Sequence, residues 1–168
     1  MITHRERLEH CLAGAIPDRT PVALWRHFPV DDQTSTGLAA AVLNFQRTYD
    51  FDLVKVTPAS SYCIKDWGAQ DRWDGATEGT RTYIYRVIQS ADGWEKLPLL
   101  EPASGYLGKE LSTLKLITGE LGDATPVIQT IFSPLSQAKN LVGAKELLVH
   151  LRQNSDALHA GLKIITES

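Results

Sequence analysis

Two patterns alternate along the chain: short mixed-apolar runs closed by Pro or Gly, and longer stretches with apolar groups three and four positions apart. Together they predict strands alternating with helices, the arrangement that builds a parallel sheet. Thr3-His4-Arg5-Glu6 has capping-box spacing, and Leu8, Cys11 and Leu12 follow on one helical face until Gly14 offers a C-terminal stop, which predicts a first helix of about ten residues. After the breaker-rich turn Ile16-Pro17-Asp18-Arg19-Thr20, residues Pro21 to Phe28 are mostly apolar without strict alternation. That pattern predicts a strand covered on both faces. Leu38, Val42, Leu43 and Phe45 lie at helical spacing within Ser35 to Tyr49, with Ala39, Ala40 and Ala41 raising propensity. Phe51 to Thr57 then reads as a second strand closed by Pro58.

Residues 60–100 break this rhythm. Trp67, Trp73 and Trp94 are interspersed with Gly68, Gly75, Gly79 and Gly93, and Arg81 to Ile88 has the β-branched and aromatic content of a strand. A partner run between Trp67 and Trp73 predicts a small antiparallel excursion, and an insertion this long between crossover units is disproportionately functional. Regular units resume with a helix over Gly105 to Leu121, a third buried strand over Pro126 to Phe132, a short helix from Leu135 to Leu141 and a longer one from Ala144. The last helix carries Leu147, Leu148, Leu151, Leu158, Leu162 and Ile165 on one broad face. Three crossover strands make an open sheet, whereas a closed (β/α)8 barrel needs about 250 residues. The expected fold is therefore α/β: a partial (β/α)8 TIM barrel with a small β insertion, the N-terminal half of the full barrel. Its open edge after the third strand must be covered, by a second copy or by a C-terminal piece.

Composition narrows the function classes. Lys plus Arg number 17 against 20 Asp plus Glu, a formal charge of -3, with no basic cluster. Nucleic acid is not expected as a partner, because counterion release needs several phosphate contacts on one surface. No apolar run approaches the roughly 20 residues that span a bilayer, and the start MITHRERLEHC lacks a secretory apolar segment, so neither a membrane span nor a signal peptide is expected. Cys11 and Cys63 are the two cysteines and stand in no zinc-type spacing. A cytoplasmic location is the expectation.

Gly-rich phosphate loops, HExxH and GxSxG are all missing from the sequence, so chemistry is sought at strand ends, which face the active site of a barrel. Arg26 closes the first strand, where a guanidinium holds a substrate carboxylate by two parallel hydrogen bonds; pairing with Asp31 or Asp32 is the structural alternative. His27 offers a proton shuttle or an ordinary loop histidine. Lys55, between Val54 and Val56, is an odd strand residue, either an anion-binding cation or Schiff-base amine, or a snorkelling or salt-bridged lysine. Ser60, Ser61 and Tyr62 supply hydroxyls to a pocket rim, while Cys63 has no activating base in the sequence. Asp66, Asp71 and Asp74 lie in the insertion without calcium-loop spacing, as ligand-orienting acids or as solvated and capping residues. Gln129 and Ser133 either reach the barrel mouth or satisfy local backbone.

The combination resembles the N-terminal half of the uroporphyrinogen decarboxylase superfamily. The resemblance rests on Arg5-Glu6-Arg7, Pro17-Asp18-Arg19-Thr20-Pro21-Val22, Trp25-Arg26, Tyr49-Asp50-Phe51-Asp52, and Pro126-Val127-Ile128 running into Ser133-Pro134-Leu135. It implies a TIM barrel of about twice this length, with residues 1–168 as its N-terminal portion and 60–100 as a loop and β-hairpin insertion. It also implies a homodimer, or association with a missing C-terminal half, and a lyase of tetrapyrrole (heme) biosynthesis that removes acetate carboxyls from a porphyrinogen without a cofactor. The substrate class is a small polycarboxylate or tetrapyrrole. Arg26 falls on the first arginine of the family's Arg-Gln-Ala-Gly-Arg segment, which here reads Arg26-His27-Phe28-Pro29-Val30, so the second arginine is missing. Where the family's essential aspartate closes the second strand as Ser-Asp, this chain has Pro58-Ala59, leaving the catalytic residue unassigned unless an acid such as Asp66 substitutes. A pocket tyrosine of the family corresponds to Asn140. Substrate-binding candidates are thus Arg26, His27, Lys55, Ser133 and Asn140, with no metal ligand among these residues. The same superfamily contains methyltransferases in which zinc activates a thiolate, with a corrinoid protein or a thiol as partner. That alternative stands beside the decarboxylase, as does a non-catalytic half-barrel that folds by self-association.

Overall fold

Thr3 starts the first helix as its residue type dictates: its side chain accepts the Glu6 N–H while the Glu6 carboxylate takes the Thr3 N–H, at 3.2 and 2.6 Å. In the computed structural model, which describes residues 2–168, this helix is α1 (His4–Leu12). There follow α2 (Ser35–Tyr49), β1 (Val54–Val56), β2 (Gln70–Trp73), β3 (Arg81–Tyr85), α3 (Gly105–Leu121), β4 (Val127–Gln129), α4 (Pro134–Val142), α5 (Ala144–Gln153) and α6 (Ser155–Glu167). Short 3-10 segments lie at Asp31–Gln33, Tyr62–Trp67 and Ala91–Lys96. The chain divides into two units, one of residues up to Ala59 with Lys109–Thr130, the other of Ser60–Gly108 with Ile131–Ser168.

The first unit holds the parallel pair β1–β4, with Val54 opposite Val127, Lys55 opposite Ile128 and Val56 opposite Gln129. One apolar cluster packs on it: Leu38, Ala39, Val42 and Leu43 of α2, Val54 and Val56 of β1, and Ile117 of α3. Thr34 caps α2 by accepting the Gly37 N–H at 3.0 Å, and Asp50 ends it in the left-handed region, φ 54°, a conformation Asp tolerates better than most residues.

Helix α1 docks differently from its sequence pattern. Leu12 is 86% exposed and Cys11 is exposed, whereas Arg7 is 5% exposed. The helix is anchored by charge: Arg7 donates to Asp18 at 2.7 and 2.9 Å and to Asp52 at 2.5 Å. Asp52, 1% exposed, also receives Arg19 at 2.5 and 2.9 Å, a His4 ring nitrogen at 2.8 Å and the Val22 N–H at 2.8 Å. Burial alone raises a carboxyl's pKa, yet the bonds from Arg19, His4, Val22 and Arg7 hold Asp52 well below the usual range. The Arg7 hydrogen bonds hold Asp18 down to about 2.

The expected strand at 21–28 forms no regular ladder. It runs alongside β1, tied by Asp52 N–H to Val22 O at 2.8 Å, by Val22 N–H to the Asp52 carboxylate, and by the Thr57 hydroxyl to Arg26 O at 2.5 Å. Side-chain oxygens of Asp52 and Thr57 take bonds that a regular strand gives to backbone, and Pro21 brings no N–H. The second and third strands are likewise shorter than their apolar runs, three residues each.

In the second unit, β2 and β3 pair antiparallel with a bulge between Gln70 and Asp71. An apolar cluster joins Ile64, Trp67, Ile88 and Trp94 to Leu141 of α4, Leu147 of α5, and Leu158 and Ile165 of α6. The single long helix expected from Ala144 is two, because Asn154 leaves helical geometry at φ -140°, ψ 44°. The break turns the apolar face, so Leu147 and Leu158 are buried while Leu148 and Leu151 are exposed. Trp94, fully buried, donates its indole N–H to His150 Nδ1 at 3.0 Å and lies against Gly161.

Asp52→Ala is expected to lower stability by about 3 kcal/mol or more at neutral pH, since it strands buried cationic donors. Because the folded-state pKa is depressed, the contribution of Asp52 is complete above the ordinary aspartate range and is lost as pH falls through the folded value. Urea melts across that range check both signs, and a penalty that grows on acidification refutes the assignment. A Cβ on Gly161 meets Trp94 Cε3 at 2.6 Å, whereas one on Gly119 of α3 meets nothing within 4 Å. Gly161→Ala is therefore expected to cost about 1–3 kcal/mol and Gly119→Ala to add about 0.5–1 kcal/mol, read from the paired shifts in melting temperature.

Candidate functional site

Strand alternation decides what Lys55 can do. Val54 and Val56 point into the helix-covered cluster, so Lys55 stands on the other face of the sheet. Its register neighbour Ile128 is 46% exposed. The ammonium lies 4.2 Å from the Trp25 ring centroid and enters no ion pair among the described residues. It is a cation resting on an indole face, half-buried along its stem, with its charge uncompensated.

Arg26 is placed by the preceding segment's ties to Asp52 and Thr57. Of its two sequence readings, the pairing with Asp31 or Asp32 does not form: its Nε donates to His27 O at 3.3 Å and its guanidinium lies 5.4 Å from the Phe28 ring. It opens on a groove of about 500 Å³ with Asp31, Asn44, Phe45 and Tyr49. Arg26 and Lys55 also border one narrow crevice with Trp25, Phe28 and Val42. The structure thus brings together two cations without carboxylate partners, a pair suited to an anionic group, whereas the half-buried His27 borders neither the groove nor the crevice. Ala59, the position that the resemblance assigns to the family aspartate, is a buried methyl.

Ser133 and Asn140 belong to the second unit. Ser133 caps α4 by accepting the Ser136 N–H at 3.3 Å, and the Asn140 carbonyl accepts Arg86 at 2.5 Å. Asp66, Asp71 and Asp74 of the insertion are each engaged. Asp66 accepts the Tyr106 and Leu107 N–H groups at 2.9 and 3.1 Å at the start of α3, where a carboxylate complements the helix end. Asp71, buried, has Lys65 Nζ 2.7 Å away and accepts the Ser61 hydroxyl. Asp74 takes Arg72 at 2.7 Å on the surface. Cys63 is buried, and burial pushes its thiol up to about 12, so it is a neutral thiol at working pH.

Glu110 is a residue that the sequence reading does not single out. It is 3% exposed on α3, and neither carboxylate oxygen has a hydrogen bond, although Lys109 Nζ lies 3.2 Å from one. Burial, opposed by Lys109 and reinforced by the Asp32 charge, raises its pKa. The signal is present in the sequence: Leu107, Glu110, Leu114 and Ile117 share one helical face, and a glutamate in such a stripe is the exception.

Comparison with known proteins gives three results. The family described as Uroporphyrinogen decarboxylase (URO-D) matches residues 32–168. The segments Arg5 to Arg7, Pro17 to Val22 and Trp25-Arg26 lie outside that span. Among curated proteins, none matches the sequence. A solved structure, a methyltransferase from Methanosarcina mazei, is similar with a TM-score of 0.79 at 17% identity, over 99% of this chain and 53% of that one. The chain therefore spans about half the length of that structure, and at this identity the likeness is one of fold.

Because its pKa is raised, Glu110 holds its proton more tightly in the folded state, so stability is complete below the ordinary glutamate range and declines as pH rises through the folded value. Glu110→Gln is expected to leave stability nearly unchanged near pH 4 and to raise it at pH 7. Denaturant melts at both pH values decide, and an equal effect at both would remove titration as the cause.

Proposed function

The chain belongs to the uroporphyrinogen decarboxylase family, and on that premise we propose that it is the substrate-holding N-terminal portion of a (β/α)8-barrel enzyme that transfers methyl groups and does not decarboxylate a porphyrinogen. One observation carries the choice of reaction. By the resemblance, the family's essential aspartate corresponds to Ala59, which the fold buries as a methyl, and a decarboxylase needs negative charge there to stabilise a protonated pyrrole. Asp66 is spent on the first turn of α3 and Asp71 on Lys65 and Ser61, so neither supplies the missing charge. A methyl acceptor asks for no anion at that point.

In this reading Arg26 and Lys55 hold an anionic group of the substrate, and Trp25 and Phe28 flank it. Zinc does not fit the described residues. Cys63 is a buried neutral thiol, and among the described residues no three His, Cys, Asp or Glu side chains converge. A zinc-activated thiolate requires ligands from elsewhere in the protein. The decarboxylase reading retains the family's name and the unneutralised Arg26 in its favour.

The full-length protein is to be incubated in parallel with uroporphyrinogen III and with a methylcorrinoid plus a thiol acceptor. Methyl transfer without porphyrinogen turnover is the expected result, and Arg26→Ala is expected to raise KM at least about tenfold. Release of carbon dioxide from uroporphyrinogen overturns the reading.

A further inference from the structure

The second unit contains a cavity of about 400 Å³ that has no part in holding the substrate anion. Its walls come from the 3-10 segment Tyr62–Trp67, the first turn of α3, the residues after β4, and the end of α6. No charged side chain lines it. The polar groups at its edge are already bonded inside the protein. Trp67 Nε1 donates to Pro98 O at 2.8 Å, Gln137 Nε2 to Phe132 O at 2.9 Å, and Thr166 Oγ1 to Leu162 O at 2.7 Å. The Ser168 hydroxyl donates to Ile164 O at 2.9 Å and accepts the Leu100 N–H at 3.1 Å. What remains on its walls is the apolar surface of Tyr62, Trp67, Leu107, Phe132 and Ile165, with Ile131 largely exposed at the mouth.

From this we infer that the cavity is a binding site for a neutral, flat aromatic molecule of two or three fused rings. Size and charge both select that class. A dry cavity of roughly 150 Å³ is enough for benzene, and sites for small organic ligands run from about 300 Å³ upward. An anion seated in this cavity gives up part of its hydration and meets no cationic side chain in return, so its binding is disfavoured. A neutral ring system stacks edge or face against Trp67 and Phe132 and forfeits little. Cys63 at the wall adds to the neutrality, since its thiol stays protonated.

The test uses the full-length protein with N-phenyl-1-naphthylamine as a fluorescent probe, displaced by 1-naphthalenemethanol or by 1-naphthoate. Saturable one-to-one binding is expected, with the neutral competitor at least about tenfold stronger than the anion. Two variants at the cavity edge, Thr166→Phe and Ile131→Trp, carry their side chains at exposed positions. Each is expected to weaken the probe at least about tenfold with a circular dichroism spectrum like that of the parent. Absence of saturable binding, equal displacement by naphthoate, or undiminished affinity in both folded variants overturns the inference. Activity is not the readout, so failure here leaves the methyl-transfer reading standing.

Discussion

The carboxylate of Asp52 is the point on which the first unit depends. It is buried, and around it close Arg7 from α1, Arg19 from the following turn, His4, and the backbone N–H of Val22. A lone buried carboxylate is costly; one that receives two guanidinium groups and a backbone amide is a fastening, and removal of any member exposes the rest to that cost. Three segments are fixed by it: α1, the Asp18-to-Val22 turn, and the entry to β1, which lies some 30 positions further along the chain. Its consequence reaches Arg26, because the chain from Val22 onward is laid beside β1 by this fastening and by the Thr57 hydroxyl.

The alternation of β1 then divides labour between two faces. Val54 and Val56 bury against α2 and Ile117, which stabilises the unit through apolar area. Lys55 is left on the opposite face with Trp25 beneath it. A strand with one lysine between two valines can satisfy both demands only if the lysine's face is not a packed core, so the same register that builds the cluster also presents a cation. Glu110 shows the opposite economy. It sits where apolar packing is expected, keeps its proton more firmly than an exposed glutamate, and has Lys109 as its nearest countercharge.

What the sequence makes legible is local. Helices α2 and α3 follow from apolar spacing, because that signal acts within a turn or two. The hydrogen-bonding fate of a segment is not local, and there sequence pattern misleads. Residues 21–28 have strand composition but meet side-chain acceptors and donors in Asp52 and Thr57. Apolar spacing gives the inner face of α1 to Leu8, Cys11 and Leu12, whereas the partner of the helix is an aspartate 45 positions from Arg7. Spacing on one helix carries no record of such a partner. Likewise Asn154 reads as part of one long helix, since asparagine inside a periodic leucine pattern is compatible with continuation or with a break.

The site is legible in its residue types and less so in its commitments. Arg26 and Lys55 stand out as charges in apolar runs, and the geometry leaves both without carboxylate partners. The acids near Ala59 in sequence can be weighed only through their contacts. Asp66 has two futures, as a mobile carboxylate in a loop or as a fixed cap, and the Tyr106 and Leu107 N–H groups select the second. Asp71 likewise holds a lysine and a serine. A carboxylate already neutralised by a helix end or an ammonium offers little field to a distant cation, because the partner's charge cancels most of it. The chemistry open to this chain is therefore set less by the acids it contains than by those it has left uncommitted, and near Ala59 in sequence the insertion leaves none.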